Sequence, residues 1–264
     1  PGYPFWIEHT DGARFNSPLQ KEWYTRYLEN AVDIAAGDLN PLCERAKKHK
    51  MALYVGCIEK SGHSVFCSLV YIDGWGNIQS VHRKLKPTYE ERLVWSQGDG
   101  NGLQVHSLPP FHVGGLNCWE NWMPLARTSL YGQGEDLHIA VWPGSVHNTE
   151  DITRFMAKEG RSYVISASGL LPISEIPQNL PGAETMNDPK KSFMANGGSC
   201  IAGPDGEWVV PPVLEKETLL FATLEYNQVR QDRLMFDPAG HYSRHDVFNL
   251  SVNRTRNQGV DFSD

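Results

Sequence analysis

Apolar residues recur at two spacings along the chain and divide it into helices and strands. Helical spacing covers residues 18–36 and 41–50, the second with Asn40 as its expected cap. Runs rich in β-branched and aromatic residues predict strands over 52–58, 65–72, 78–84, 104–108, 113–118, 137–142, 163–167, 199–202, 207–210 and 218–224. Three more helices are expected over residues 124–131, 149–159 and 227–235.

This order of elements predicts an α/β protein. Many short strands alternating with amphipathic helices indicate sheets that pack on each other and are covered by helices. A chain of 264 residues favours one large domain over two. We find no internal repeat or low-complexity linker, so we expect a single domain over residues 1–264 with a polar arm over residues 236–264.

Composition and charge narrow the function classes. The chain is 40% apolar and 21% charged, which is typical of a soluble globular protein, and its formal charge of −7 argues against nucleic acid as a main partner. No apolar stretch approaches the ~20 residues needed to span a bilayer, and the opening residues lack the features of a signal peptide. We therefore expect no membrane partner.

The five cysteines are odd in number, and none has the close spacing of a zinc or redox site. This favours a reducing, cytoplasmic setting without a disulfide framework. Four of them, Cys43, Cys57, Cys67 and Cys200, are interpreted as small buried hydrophobic residues.

Cys118 is the lead candidate for chemistry. It follows an apolar run and precedes the sequence Trp-Glu-Asn-Trp-Met-Pro, which predicts a strand-to-helix turn. Backbone N–H groups at such a turn favour a thiolate and can later stabilise an oxyanion. Lys84, at the end of a predicted strand before a rigid Pro87 turn, is a candidate partner.

Two motifs carry a family resemblance. The segments 82–88 (HRKLKPT) and 114–121 (GGLNCWEN) closely resemble the nitrilase branch of the carbon-nitrogen hydrolase superfamily. Further matching segments are residues 1–4, 98–100, 142–143, 203–206 and 237–248, so the resemblance spans nearly the whole chain. The Cys-Trp-Glu run is its most specific element and favours nitrile over amide hydrolysis.

The resemblance implies a fold and a set of roles. The fold would be a four-layer αββα sandwich of the carbon-nitrogen hydrolase type that forms homodimers or larger homo-oligomers. Cys118 would be the nucleophile, Lys84 would stabilise developing negative charge, and Glu91 would hold the lysine ammonium. No metal or organic cofactor would be needed. As substrate-pocket residues we expect Trp119, Trp142 and His147, with Trp122 as a further candidate.

The family also uses a glutamate general base, in a Pro-Glu motif upstream of a Gly-Tyr-Pro segment. That segment is residues 2–4 here, and neither Glu8 nor Glu22 occupies the matching place. We therefore expect an N-terminally incomplete sequence that lacks the opening strand-helix-strand portion. A chain used as written would be inactive or would fold only with help, because no base would deprotonate Cys118 or activate water.

The expected function is hydrolysis of a small-molecule nitrile to a carboxylic acid and ammonia through a covalent thioimidate and thioester. Two alternatives stay open. An amidase or carbamoylase of the same superfamily would use the same residues, and a non-catalytic homologue would bind a ligand or assemble with active relatives. The sequence does not separate aliphatic, aromatic, arylacetonitrile or cyanide substrates.

Overall fold

A computed structural model describes residues 3–186 and 190–257. Two parts of the expected motifs, residues 1–2 and the arm residues 258–264, lie outside the described residues. The described part of the arm, residues 236–257, consists of turns and irregular backbone without a helix or strand.

Two β-sheets form the centre of the fold. The first is an antiparallel three-stranded sheet of β1 (Leu53–Ser61), β2 (Ser64–Ile72) and β3 (Ile78–Arg83) in that order. The second has the order β10-β9-β7-β6-β5-β4, with β8 also paired to β9. Its strands are β4 (His106–Leu108), β5 (Phe111–Asn117), β6 (Leu137–Trp142), β7 (Tyr163–Ser168), β8 (Leu170–Pro172), β9 (Phe193–Ala202) and β10 (Trp208–Leu214).

Helices cover the outer faces of both sheets. The described helices are α1 (Trp6–His9), α2 (Pro18–Glu29), α3 (Asn40–His49), α4 (Pro124–Tyr131), α5 (Val146–Gly160), α6 (Ala183–Met186) and α7 (Tyr226–Arg233). Ala46 of α3 packs on Val70 of the first sheet, and Met156 of α5 packs on Ala140 of the second. The layers therefore run helix, sheet, sheet, helix, which confirms the four-layer α/β sandwich.

Small residues let the two sheets approach each other closely. A Cβ atom added to Gly115 of β5 would lie 3.0 Å from a Leu69 side-chain carbon of β2 in the other sheet, and 2.8 Å from the Ile139 carbonyl oxygen of β6 in its own sheet. Alternation along β6 places Leu137 and Ile139 in the core between the sheets and Trp142 on the opposite, helix-covered side. This close contact brings the ends of β3 and β5 together.

Several predicted boundaries were wrong. The helix that begins at Pro18 ends at Glu29, because the following residues form a turn and Val32 pairs with Glu59 next to β1. Asn40 is the first residue of α3, and Leu39 occupies the cap position without a side-chain hydrogen bond. The strand expected over residues 218–224 is irregular backbone, and Leu219 and Phe221 are exposed.

Within the described ranges 3–186 and 190–257, we find no helix that combines the length and the apolar character needed to cross a membrane.

Candidate active site

Cys118 lies where β5 turns into a short 3₁₀ helix, Cys118–Trp122. Its φ angle is +53°, in the left-handed region that residues other than Gly, Asn and Asp seldom adopt. The side chain is 6% exposed, and the Trp119 backbone N–H donates a hydrogen bond to its sulfur. The turn therefore holds one thiol at a fixed place at the edge of the second sheet.

Two neighbouring side chains hold this turn. The Asn121 amide donates to the carbonyl oxygens of Cys118 at 2.8 Å and Leu116 at 3.3 Å. The Glu120 carboxylate accepts a hydrogen bond from the Asn117 N–H at 2.9 Å and completes a capping box. Both side chains are buried, so water does not compete for these bonds.

Lys84 follows directly after β3 and is buried in an ion pair. Its Nζ donates to Glu91 Oε2 at 2.5 Å and to Thr88 Oγ1 at 3.1 Å. The Thr88 N–H also donates to Glu91 Oε2 at 2.6 Å, so a capping box at the start of the 3₁₀ helix Tyr89–Leu93 fixes the carboxylate. Lys84 is 1% exposed and Glu91 is 2% exposed.

The electrostatic environment keeps this lysine charged. Burial lowers the pKa of Lys84, but the charge of Cys118 in its thiolate form and the charge of Glu91 outweigh it and raise that pKa above its usual range. Burial raises the pKa of Glu91, and the Lys84 ammonium counteracts part of that rise. The lysine therefore supplies a positive charge to the surroundings of Cys118.

The turn favours the thiolate as expected, through the Trp119 N–H, but burial of the sulfur has the larger effect. Burial raises the pKa of Cys118 to about 11, although Lys84 and the Trp119 N–H both lower it. Desolvation of the thiolate therefore exceeds the two favourable contacts. At neutral pH the sulfur is a thiol, and its use as a nucleophile requires proton transfer to a base.

A small chamber joins the three predicted catalytic residues. Its volume is ≈ 190 Å³, and Cys118, Lys84 and Glu91 all line it, together with Trp142 and Cys67. The structure thus brings residues 118 and 84 to one space, as the motifs predicted. Trp142 is 3% exposed, and its ring N–H donates to the Ser166 hydroxyl.

A larger cleft of ≈ 800 Å³ shares Cys118 and Glu91 with this chamber. Its walls include Trp119 and His147, two of the expected substrate-pocket residues. Glu8, left unassigned by the sequence analysis, also lines the cleft, whereas Glu22 pairs with Arg26 on an exposed face of α2.

Trp122 has a different place from the other expected pocket residues. It is 43% exposed and is not among the described residues that line either cavity. Its ring centroid lies 6.5 Å from that of Trp119. Trp122 therefore lies beside Trp119 and outside the described walls of these two cavities.

Sequence reasoning missed several residues of the site. The motif around Cys118 includes Glu120 and Asn121 but does not indicate that their side chains hold the turn. The spacing of three between Asn117 and Glu120 is that of a capping box and could have identified the carboxylate. Thr88 stands in the same relation to Glu91. His82, which contacts Glu120 from another sheet, gave no local signal.

Among the described residues, no cluster of three or more His, Cys, Asp and Glu side chains is arranged to hold a metal ion.

The sequence of this chain matches that of a known protein family. The sequence profile described as carbon-nitrogen hydrolase matches residues 6–234. The chain belongs to the carbon-nitrogen hydrolase family. This confirms the family resemblance of the two motifs.

Relatives of this carbon-nitrogen hydrolase include proteins named as nitrilases. It is 35% identical over 268 residues to nitrilase 2 of an unknown prokaryotic organism, covering 100% of this chain and 82% of that protein. It is 34% identical to an aliphatic nitrilase of Rhodococcus rhodochrous, covering 97% of this chain and 68% of that protein.

A solved structure supports the fold. The carbon-nitrogen hydrolase from Helicobacter pylori G27 superposes with a TM-score of 0.61, covering 78% of this chain and 72% of that one. Its sequence identity is 21%, so the likeness concerns the arrangement of the chain alone.

Proposed function

We propose that this carbon-nitrogen hydrolase is a nitrilase, which converts a nitrile and two waters to a carboxylic acid and ammonia. The observation that carries the proposal is the shared chamber of Cys118, Lys84 and Glu91. The names of relatives at 34–35% identity support nitriles as the substrate class.

In the first half of the reaction, the Cys118 sulfur attacks the nitrile carbon. A nitrile is a weak electrophile, so the thiol must first give its proton to a base, which its raised pKa makes necessary. Charge then develops on the nitrile nitrogen, and the Lys84 ammonium stabilises it. The product is a covalent thioimidate.

In the second half, water adds to the thioimidate carbon and ammonia leaves. The resulting thioester is attacked by a second water, which releases the carboxylic acid and restores the thiol. Each addition places negative charge on a tetrahedral centre. The Lys84 ammonium and the Trp119 N–H stabilise this charge, and a donor of this kind is typically worth about 2.7–4 kcal/mol.

Glu91 keeps the lysine charged and in place. Its Oε2 accepts hydrogen bonds from both Lys84 Nζ and the Thr88 N–H, so this oxygen serves to position the lysine. Trp142 borders the chamber, and Trp119 and His147 border the cleft that receives the rest of the substrate. We further propose a homodimer or larger homo-oligomer as the working form.

The test uses the full-length natural protein with pairs of nitrile and amide that share the same carbon skeleton. We expect ammonia from the nitrile and a mass increase on the peptide that contains Cys118. The C118A variant is the control and should give neither signal. Ammonia from the amide alone would instead identify an amidase. A folded protein whose Cys118 stays unmodified by every substrate would identify a non-catalytic homologue.

A further inference from the structure

Glu120 lies between the candidate nucleophile and the candidate lysine. Its side chain accepts a hydrogen bond from the Leu85 N–H at 2.5 Å, directly after Lys84. It accepts another from the Asn117 N–H at 2.9 Å, directly before Cys118. One carboxylate, 1% exposed, is therefore bonded to the backbone beside both candidate catalytic residues.

A buried histidine completes this contact. His82 of β3 lies with its Nε2 3.0 Å and 3.2 Å from the two Glu120 oxygens and is 2% exposed. Burial raises the pKa of Glu120, but His82 and the N–H groups of Leu85 and Asn117 lower it by more. The net effect is a pKa below the usual range of a glutamate. Glu120 therefore carries a negative charge, which is held by these three groups.

The two elements joined by Glu120 belong to different sheets. Lys84 follows β3 of the three-stranded sheet, and Cys118 follows β5 of the other sheet. Backbone hydrogen bonds fix positions within each sheet, but only side chains fix one sheet relative to the other. A displacement of 1 Å at reacting groups can cost a factor of about 10² in rate.

We propose that Glu120 is a positioning residue that aligns the Cys118 sulfur with the Lys84 ammonium across the interface between the sheets. It touches neither substrate nor reacting atoms and acts through the backbone of Leu85 and Asn117. The expected effect of Glu120 on turnover rests on the proposed nitrilase function. Its effect on the Cys118 thiol does not depend on turnover.

Charge and position have opposite effects, which makes the role measurable. The negative charge of Glu120 disfavours the Cys118 thiolate, so removing that charge alone would lower the pKa of Cys118. Loss of alignment would instead remove Lys84 from the sulfur and raise that pKa. Unfolding would expose the thiol and bring its pKa back toward about 8.5.

The experiment compares the wild type with Glu120→Gln. Alkylation of Cys118 by iodoacetamide is measured in brief pH jumps, and the modified peptide is quantified by mass spectrometry. We expect the pH midpoint of alkylation to rise by about half a unit or more in E120Q, a change in pKa equal to at least a threefold loss of thiolate at a given pH. In a K84M background the same substitution should give no rise, because no ammonium remains to be misaligned.

Glu59→Gln is the matched control. Glu59 is also buried and accepts hydrogen bonds from Arg83, the neighbour of His82 and Lys84. Side chains alternate along β3, so Arg83 and His82 face opposite sides of the sheet. E59Q should lower thermal stability without changing the alkylation midpoint of Cys118.

Further variants separate positioning from folding. Glu120→Asp keeps the charge but is one methylene too short to reach both N–H groups, so it should also raise the midpoint. If E120Q does not fold, E120D and H82Q supply the same comparison. A folded E120Q or E120D whose midpoint falls or stays unchanged would overturn the proposal. Unfolding of all three variants would overturn it too, because it would indicate a structural role alone.

Turnover is measured in parallel with a nitrile substrate. We expect kcat of E120Q to fall about 10²-fold with KM changed little, and E120D to recover part of the loss. A wild type that releases no ammonia counts against the proposed nitrilase function only, since the alkylation midpoint is obtained without turnover.

Discussion

At the scale of single residues, Cys118 shows that burial and local charge oppose each other. The motif identified the thiol, the lysine and the glutamate, because each has a fixed place in a short sequence pattern. The protonation state could not be read from that pattern. It depends on how far the sulfur is removed from water, and the surrounding sheets decide that.

One prediction at this scale concerns the pH dependence of the thiol. Because burial raises the pKa of Cys118 to about 11, its alkylation should increase with pH up to a midpoint near that value. Lys84→Met removes the ammonium that favours the thiolate, so the midpoint should move to still higher pH. Rates of alkylation at Cys118, measured in both proteins, check this. A K84M midpoint at or below that of the wild type would contradict the described charge arrangement.

Thr88 offers a second prediction, because its side chain serves both the lysine and the helix cap. Thr88→Ala removes the oxygen that accepts from Lys84 Nζ at 3.1 Å and also removes the cap of the helix Tyr89–Leu93. We expect a loss of about 1 kcal/mol in the free energy of unfolding. Urea denaturation measures it, and T88S, which keeps the hydroxyl, should stay close to the wild type. Equal losses in the two variants would show that the hydroxyl is not responsible.

At the scale of elements, the strands around the site were predicted better than the edges of the fold. The helix at Pro124–Tyr131 and the strand at Leu137–Trp142 have the expected bounds, because their apolar spacing is regular and turn residues flank them. Residues 218–224 have the composition of a strand but are irregular in the structure. Strand composition is not sufficient, since a strand also requires a neighbour to pair with.

The close packing around Gly115, by β2 of the other sheet and by β6 of its own sheet, gives a prediction. Gly115→Ala would place a Cβ 2.8 Å from the Ile139 carbonyl oxygen, a backbone atom that cannot rotate away. We expect it to lower the free energy of unfolding by about 1–3 kcal/mol. Urea denaturation of G115A checks this. The control is G132A at the end of α4, where the nearest contact would be 3.4 Å, and it should change stability by no more than about 0.5 kcal/mol.

At the scale of the whole molecule, the two sheets bring together residues that lie far apart in sequence. Lys84 and Cys118 come from different sheets, and Glu120 bonds to backbone groups next to both. The family resemblance predicted the four layers and the shared site. It did not predict the contact between His82 and Glu120, which arises only when the sheets pack.

The final prediction concerns assembly. Phe221 is 83% exposed and Leu219 is 79% exposed in the irregular segment before α7, and apolar exposure of this kind is typical of an interaction surface. We expect a mass in light scattering of at least twice 29.7 kDa for this chain, and a smaller mass for Phe221→Glu. Phe15→Glu changes another exposed phenylalanine, 96% exposed in the loop before α2, which has no second exposed large apolar side chain close to it in the sequence, and it should leave the mass unchanged. A monomeric wild type would contradict the proposed oligomer.

The left-handed backbone at Cys118 has a consequence for how this protein can change. Such a conformation costs most L-residues roughly 1–2 kcal/mol, whereas glycine adopts it freely. Glycine would therefore relax this turn, and glycine has no sulfur atom. A glycine here would relax the main chain and would also remove the thiol on which the proposed reaction depends, so stability and the proposed chemistry make opposite demands on this position.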